Sequence, residues 1–173
     1  AASDVYKRQV QQLVADPNNF NIIYATINNG GVIKSTDQGN NWLNSSTGIV
    51  PDGRIEIAIA PNNSSRMYAS VEGAVSGNGS DLYISEDAGA NWAIVVEEND
   101  GENLDFLGGQ GNYDNTIVVH PYDQDIVYVG GVNLFKFTVK PGEGAGEPTV
   151  LGVDVGATNQ FMDFVTFDSG VFF

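Results

Sequence analysis

The sequence predicts an all-β protein built from repeated four-stranded antiparallel sheets, and two recurring patterns indicate this fold. The first pattern is the turn S-x-D-x-G-x-N-W, which occupies residues 35–42 and, at an offset of 50 residues, residues 85–92. The second is a proline followed by a tyrosine seven residues later, which occurs at Pro17/Tyr24, Pro61/Tyr68 and Pro121/Tyr128. A fixed period of about 40–50 residues is typical of proteins in which each repeat is one small structural unit.

Each repeat has the pattern of four successive strands. An apolar stretch precedes each proline, at residues 10–15, 55–60 and 116–119. Proline cannot donate to a sheet and asparagine tolerates turn geometry, so the Pro/Asn pairs indicate a turn into the strand that carries the tyrosine. A glycine-rich turn leads to the third strand, at residues 32–35, 82–85 and 134–139. The S-x-D-x-G-x-N-W turn then leads to a fourth strand that begins at Trp42 or Trp92.

Four antiparallel strands per repeat form the blade of a β-propeller. The first strands are continuously apolar, so we expect them to be buried on both faces near the propeller axis. The predicted units are blade one at 10–50, blade two at 54–98, blade three at 114–155 and the start of another blade at 162–173. A three-blade arc leaves open sheet edges, which natural proteins avoid, so we expect the natural protein to continue in both directions.

Residues 1–9 break the repeat pattern. Their sequence, AASDVYKRQ, resembles a translated adapter tag and carries two of the seven basic residues. We therefore interpret this segment as non-native and leave it out of the prediction of the fold.

The composition narrows the classes of function. The 173 residues carry a formal net charge of −15 and contain no cysteine. Such a charge disfavours nucleic acid and anionic membranes as partners, and no basic stripe offers phosphate contacts. The lack of cysteine excludes disulfides and thiolate chemistry. No apolar run is long enough to cross a bilayer, and the single histidine, His120, gives no zinc ligand set.

The repeated turn has a physical logic of its own. Its aspartate can accept hydrogen bonds from backbone N–H groups of the turn, its glycine permits a positive φ, and its tryptophan packs on the blade. The motif resembles the Asp-box, or BNR repeat, S-x-D-x-G-x-T-W, with Asn41 and Asn91 where that family usually has threonine. The residues that match are Ser35, Asp37, Gly39, Trp42, Ser85, Asp87, Gly89 and Trp92, and the third repeat lacks the motif.

Asp-box propellers include sialidases, xyloglucanase-type glycoside hydrolases, sortilin-like receptor domains and photosystem-assembly propellers. In this family the turn joins the third and fourth strands on the face opposite the functional site. The resemblance therefore implies that Asp37 and Asp87 are structural rather than a catalytic pair. It predicts the fold more strongly than the function, because the family contains both enzymes and binding proteins.

The residues for catalysis are incomplete. A sialidase-like site would need three arginines to clamp a carboxylate, and only Arg54 and Arg66 lie outside the tag-like segment. The sequence Arg54-Ile55-Glu56 resembles the Arg-Ile-Pro signature of sialidases but has Glu56 in place of proline. A xyloglucanase-like site would need two carboxylates facing each other across a groove, and no pair stands out among the many acidic residues.

Two long irregular stretches, residues 73–80 and 99–112, mark the most favourable place for a ligand. Loops between second and third strands share a face of the propeller with the connections between blades, opposite the Asp-boxes. Long loops in compact domains are often functional. The candidate residues on this face are Asp100, Glu102, Asp105, Asn112, Tyr113 and Asp114, with Phe106 and Gln110 beside them. The acidic run at 97–105 also offers oxygen ligands to calcium without EF-hand spacing, while no other cofactor is indicated.

Two functions remain open. One is a non-catalytic binding or scaffold propeller of a secreted or cell-surface protein, which presents these loops to a carbohydrate or an extracellular protein. The other is part of a sialidase-like or xyloglucanase-like glycoside hydrolase whose catalytic residues lie largely outside this segment.

Overall fold

The computed structural model of the chain describes residues 9–73, 79–96, 106–132 and 134–140, with the short strand pairs at 144–145, 149–150, 166–167 and 170–171. Within these residues every regular element is a strand. The tag-like residues 1–8 and most of the predicted last segment, 162–173, lie outside this description.

Three antiparallel sheets follow one another along the chain. Sheet one contains four strands in the order β1-β2-β3-β4, and these are β1 (Val10–Asp16), β2 (Asn19–Ile27), β3 (Gly31–Ser35) and β4 (Leu43–Asn44). Sheet two has the same order and consists of β5 (Ile55–Ala60), β6 (Asn63–Glu72), β7 (Ser80–Ser85) and β8 (Ala93–Val96). The fourth strands thus begin one residue after Trp42 and Trp92.

Sheet three departs from this pattern at its outer edge. Its first three strands are β9 (Thr116–Val119), β10 (Ile126–Gly130) and β11 (Leu134–Lys140). Two short strands, β12 (Gly144–Ala145) and β13 (Thr149–Val150), then both pair with β11 in place of one fourth strand. A separate hairpin pairs β14 (Thr166–Phe167) with β15 (Gly170–Val171).

The apolar core lies between the sheets. One cluster joins sheets one and two and includes Tyr24, Val32, Ile55, Ile57 and Ile59. A second cluster joins sheets two and three and includes Tyr68, Leu82, Phe106, Ile117 and Phe137. Sheet two therefore contributes apolar side chains to both of its neighbours.

The prediction that all three first strands are buried on both faces is correct for β5 only. Every residue of β5 is buried, because β5 packs against both β1 and β9. In β1, Leu13 is 65% exposed, and in β9, Val118 is 58% exposed. An apolar sequence therefore did not distinguish a strand with two neighbouring sheets from one that, within the described residues, has a single neighbour.

Candidate functional site

The first S-x-D-x-G-x-N-W turn is held by its own side chains. The Ser35 hydroxyl donates to Asp37 Oδ1 at 2.8 Å and accepts the backbone N–H of Gly39 at 2.8 Å. Asn41 donates its backbone N–H to Asp37 Oδ1 at 2.8 Å and its side-chain amide to Oδ2 at 2.6 Å. These bonds from Asn41 and Ser35 hold the pKa of Asp37 below its usual value, because they stabilise the ionised carboxylate.

The second turn repeats these bonds and adds a link to sheet one. Asp87 accepts two bonds from Asn91, at 2.8 and 2.7 Å, which lower the pKa of the carboxyl group. The Trp92 indole donates both to the Gly89 carbonyl, at 3.1 Å, and to the Ser45 carbonyl, at 2.8 Å. Trp42 donates to its own turn, at the Gly39 carbonyl. Trp92 is thus buried between sheets, whereas Trp42 is half-buried.

Backbone geometry explains the glycine in both turns. Gly39 and Gly89 have φ values of 89° and 80°, in the left-handed region that favours glycine. The residues just before them, Gln38 and Ala88, also have positive φ, at 62° and 57°. Hydrogen bonds accepted by the serine hydroxyl and the aspartate carboxylate accompany two successive residues in this conformation in each turn.

The turns after the second strands lie at the other end of the sheets, beside the connections between sheets. Asn29 follows β2 and exchanges two hydrogen bonds with Gly53, at 3.0 and 2.8 Å. Glu72 ends β6 and binds the backbone N–H of Arg54 through its carboxylate, at 3.0 Å. By contrast, Gln38 donates its backbone N–H to the carbonyl of Asn21, near the start of β2. We call the end of the sheets that contains Asn29, residues 52–54, Glu72 and residues 110–114 the loop face.

An arginine organises the centre of the loop face. Arg54 donates through Nε to Glu56 Oε1 at 2.9 Å, and its Nη2 lies 2.7 Å from the same oxygen. Its Nη1 donates to the backbone carbonyl of Tyr113 at 3.3 Å. Burial raises the pKa of Glu56, and the hydrogen bond and charge of Arg54 oppose that rise. The guanidinium thus links the start of β5 to the connection between sheets two and three.

The segment from Phe106 to Asn115 is anchored at both ends. Phe106 is fully buried, with its ring edge-on to Phe137 at a centroid distance of 5.6 Å. Asn115 is also buried and donates its side-chain amide to the Ser70 carbonyl at 3.2 Å. Between these anchors, Tyr113 and Asp114 donate backbone N–H groups to the Gln110 carbonyl. Residues 112–114 are therefore held on the surface by a fixed backbone.

The structure places the predicted ligand residues differently. Asn112, Tyr113 and Asp114 are exposed on the loop face, and the side chain of Tyr113 is 75% exposed. Phe106, which the sequence grouped with them, packs in the core and has no surface to offer a ligand. Asp100, Glu102 and Asp105, together with the acidic run considered for calcium, lie outside the described residues.

Sequence reasoning did not foresee how Arg54 and Glu56 act at this face. It noted them only for a partial likeness to a sialidase signature, whereas the structure makes them the link to Tyr113. The available signal was a glutamate inside the otherwise apolar strand IEIAIA. A buried carboxylate in such a strand generally has a cationic partner nearby.

The described residues contain no group of three or more histidine, cysteine, aspartate or glutamate side chains placed to hold a metal ion. They also contain no helix long and apolar enough to cross a membrane.

Solved structures share the arrangement of sheets. The GH74 enzyme from Niastella koreensis matches 80% of this chain and 23% of its own, with a TM-score of 0.59 and 18% identity. The GH74 xyloglucanase from Xanthomonas campestris matches 86% of this chain and 25% of its own, with a TM-score of 0.58 and 16% identity. YCF48 from Cyanidioschyzon merolae matches 82% of this chain and 40% of its own, with a TM-score of 0.50 and 10% identity.

This chain is a β-propeller segment. The three sheets are its blades, as the repeats predicted, and the segment spans a quarter or less of the length of these two GH74 enzymes. Identities of this size show the fold alone. No protein-family profile matches the sequence, and no functionally curated protein matches it.

Proposed function

We propose that this segment belongs to a non-catalytic binding propeller, secreted or on the cell surface, whose loop face binds carbohydrate. The observation that carries the proposal is the exposed ring of Tyr113 on a backbone fixed by Arg54. An aromatic ring offers a rigid apolar platform with a polar tip, which suits the faces and hydroxyls of a sugar. Asn112 and Asp114 on either side supply amide and carboxylate groups for hydroxyls.

The held backbone strengthens this proposal. Binding costs less when the groups that contact a ligand are already ordered in the free protein. Phe106 and Asn115 anchor the two ends of the segment in the core, and Arg54 binds the carbonyl of Tyr113 two residues before Asn115. In the same proposal, the repeated turns at Asp37 and Asp87 are structural Asp-boxes at the opposite end of the sheets.

A second candidate function is part of a glycoside hydrolase whose catalytic groups lie largely outside this segment. The fold similarity to GH74 enzymes favours it. Glu56, the buried glutamate that pairs with Arg54 of the loop face, is bound to that arginine rather than open to a groove. A glycosidase needs two carboxyl groups that both reach the scissile bond.

Affinity electrophoresis in gels containing a neutral β-glucan, with a parallel array of sialosides, tests the binding proposal. We expect Tyr113→Ala to weaken retention at least about tenfold and Tyr113→Phe to preserve it, because the ring supplies the contact. Leu43→Ala is the matched control, because Leu43 is 74% exposed on sheet one and lies outside the loop face. Equal retention of the Tyr113→Ala variant and the wild type would overturn the assignment of the site.

Two further measurements separate the alternatives. Release of reducing sugar from a β-glucan or a sialoside by the complete protein would replace the binding function with the hydrolase. Reversing charge with Asp100→Lys and Glu102→Lys tests the protein partner. If those changes abolish binding to a basic protein and neither the wild type nor the variant is retained by any glycan, the partner is a protein and the carbohydrate proposal fails.

A further inference from the structure

The arginine of the loop face has the chemistry to bind a carboxylate. A guanidinium presents its N–H donors in a planar fork that matches a carboxylate in a bidentate manner. Arg54 keeps 27% of its side chain exposed, next to the segment that carries Tyr113. Lys34 and Arg66, by contrast, bind groups of the second S-x-D-x-G-x-N-W turn, at the opposite end of the sheets. Arg54 therefore lies where a charged sugar would meet it.

A carboxylate of the chain itself already occupies this fork. Glu56 Oε1 accepts the Nε–H of Arg54 at 2.9 Å and lies 2.7 Å from Nη2. The remaining nitrogen, Nη1, donates to the Tyr113 carbonyl at 3.3 Å. The Glu56 side chain is only 8% exposed, so salt and water screen the pair weakly. All three guanidinium nitrogens of Arg54 thus have a partner within the chain.

The charges around the pair also disfavour an acidic ligand. The carboxylate of Glu72 accepts the backbone N–H of Arg54 at 3.0 Å. Asp114 is exposed one residue after Tyr113. Arg54 thus brings its positive charge into a group that also contains the carboxylates of Glu56, Glu72 and Asp114. A ligand carboxylate that approaches Tyr113 would meet a surface of like charge.

We propose that Glu56 determines the charge of the glycan that the loop face accepts. By holding the Arg54 fork, Glu56 withholds the guanidinium from a sugar carboxylate, so the face binds neutral glycans and discriminates against those with uronic or sialic acids. Selectivity arises as much from like charges against the wrong ligand as from contacts to the right one. This selectivity rests on the proposed carbohydrate function, whose ligand class it narrows to neutral glycans.

Retention of the 173-residue chain in gels that contain hydroxyethyl cellulose or carboxymethyl cellulose tests the selectivity. The two polymers share a β-glucan backbone and differ in the charge of their substituents. The neutral polymer should retain the wild type at least about tenfold more strongly, because like charges at an interface weaken binding. Glu56→Gln should raise retention by the carboxylated polymer relative to the neutral one at least about fivefold, because the Arg54 fork is then free to pair with a carboxylate.

Two control variants separate the Arg54–Glu56 pair from the net charge of the chain. Glu86→Gln removes the same charge at the opposite end of the sheets, where Glu86 Oε1 lies 3.2 Å from Arg66 Nη2. This variant should leave the ratio of the two retentions as in the wild type. Glu56→Asp keeps a carboxylate beside Arg54 and should keep the preference for the neutral polymer. Urea unfolding of each variant checks that it is folded.

The outcomes distinguish the selectivity from the carbohydrate function itself. Equal retention of the wild type by the two polymers, which needs no variant, would overturn the selectivity and leave the carbohydrate function standing. An unchanged ratio in folded Glu56→Gln, or an equal gain in Glu86→Gln, would do the same. If hydroxyethyl cellulose and carboxymethyl cellulose both fail to retain the wild type and Glu56→Gln, the carbohydrate function and the selectivity fail together.

Discussion

The junction between sheets one and two and the junction between sheets two and three use different polar chemistry at one repeat position. In the first junction, the Gln12 side chain accepts the N–H of Ile57 at 2.7 Å and donates to its carbonyl at 3.1 Å. In the second, the corresponding residue is Glu56, which lies five residues before its proline as Gln12 does. A carboxylate cannot satisfy both groups of a peptide in this way, and Glu56 pairs with Arg54 instead.

This difference distinguishes a junction that only joins two sheets from a junction that also connects to the candidate ligand site. The first junction is closed by a neutral amide that extends the edge of β5. The second is closed by aromatic packing of Phe106 on Phe135 and Phe137, while its polar pair connects to Tyr113 on the loop face. The junction that departs from the repeat is therefore the one beside the candidate ligand site, where local rules are often broken.

The largest effect expected in this comparison comes from removing the aromatic anchor of the second junction. Phe106→Ala deletes a fully buried ring, which typically costs about 3–5 kcal/mol of unfolding free energy. Urea unfolding measures the loss, and the same variant should weaken glycan retention because residues 112–114 lose their anchor. Leu43→Ala, at an exposed position, should stay within about 0.5 kcal/mol of the wild type. A small cost at Phe106 would show that aromatic packing does not hold this junction.

Exchanging the two polar residues tests the comparison directly. Gln12→Glu removes the donor to the Ile57 carbonyl and sets a carboxylate against it, so we expect a loss of about 1–3 kcal/mol in urea unfolding. Glu56→Gln should behave differently, because burial raises the pKa of Glu56. A raised pKa means that the contribution of this group is fully present below the unfolded-state pKa and is lost as pH rises through the folded-state pKa.

The effect of Glu56→Gln on the free energy of unfolding should depend on pH. Relative to the wild type, Glu56→Gln should gain stability as pH increases from about 3 to about 8, because glutamine has no ionised form to bury. Unfolding free energies measured in parallel at several pH values check this. If Glu56→Gln instead becomes less stable relative to the wild type as pH increases, the attraction between Arg54 and the Glu56 carboxylate outweighs the cost of burying its charge.

The two repeated turns give the smallest expected effect and compare sheet one with sheet two. Asp37→Ala and Asp87→Ala should both lower the melting temperature, with the larger drop at Asp87, because its turn also holds Trp92 against Ser45 of sheet one. The pKa of each aspartate is lowered, so its contribution is present above the ordinary aspartate value and is lost as pH falls. The difference in melting temperature between the wild type and each variant should therefore be present at neutral pH and should shrink at acidic pH. Equal drops at the two sites would contradict a special role of Trp92.

Local patterns were sufficient for much of the fold. Pro61 and Tyr68 bracket the turn and the strand as predicted, and β5 (Ile55–Ala60) has the predicted bounds. Proline, glycine and alternating apolar residues act through the backbone of their own segment, so their effects are readable along the chain. The candidate site was harder to predict from the sequence. Phe106 and Tyr113 are both aromatic residues of one loop, and only tertiary packing determines that the first ring is buried and the second is exposed.

The sequence by itself determined the repeat, the antiparallel strands and the hydrogen-bonded turns at Asp37 and Asp87, because these depend on contacts within a few residues. Only the tertiary structure decided that β5 is buried on both sides while β1 and β9 are not, and that Arg54 holds the carbonyl of Tyr113. These features depend on which sheets are neighbours and on contacts between residues far apart in the chain. The pattern of apolar and polar residues along one strand indicates neither which sheets are neighbours nor which distant residues are in contact.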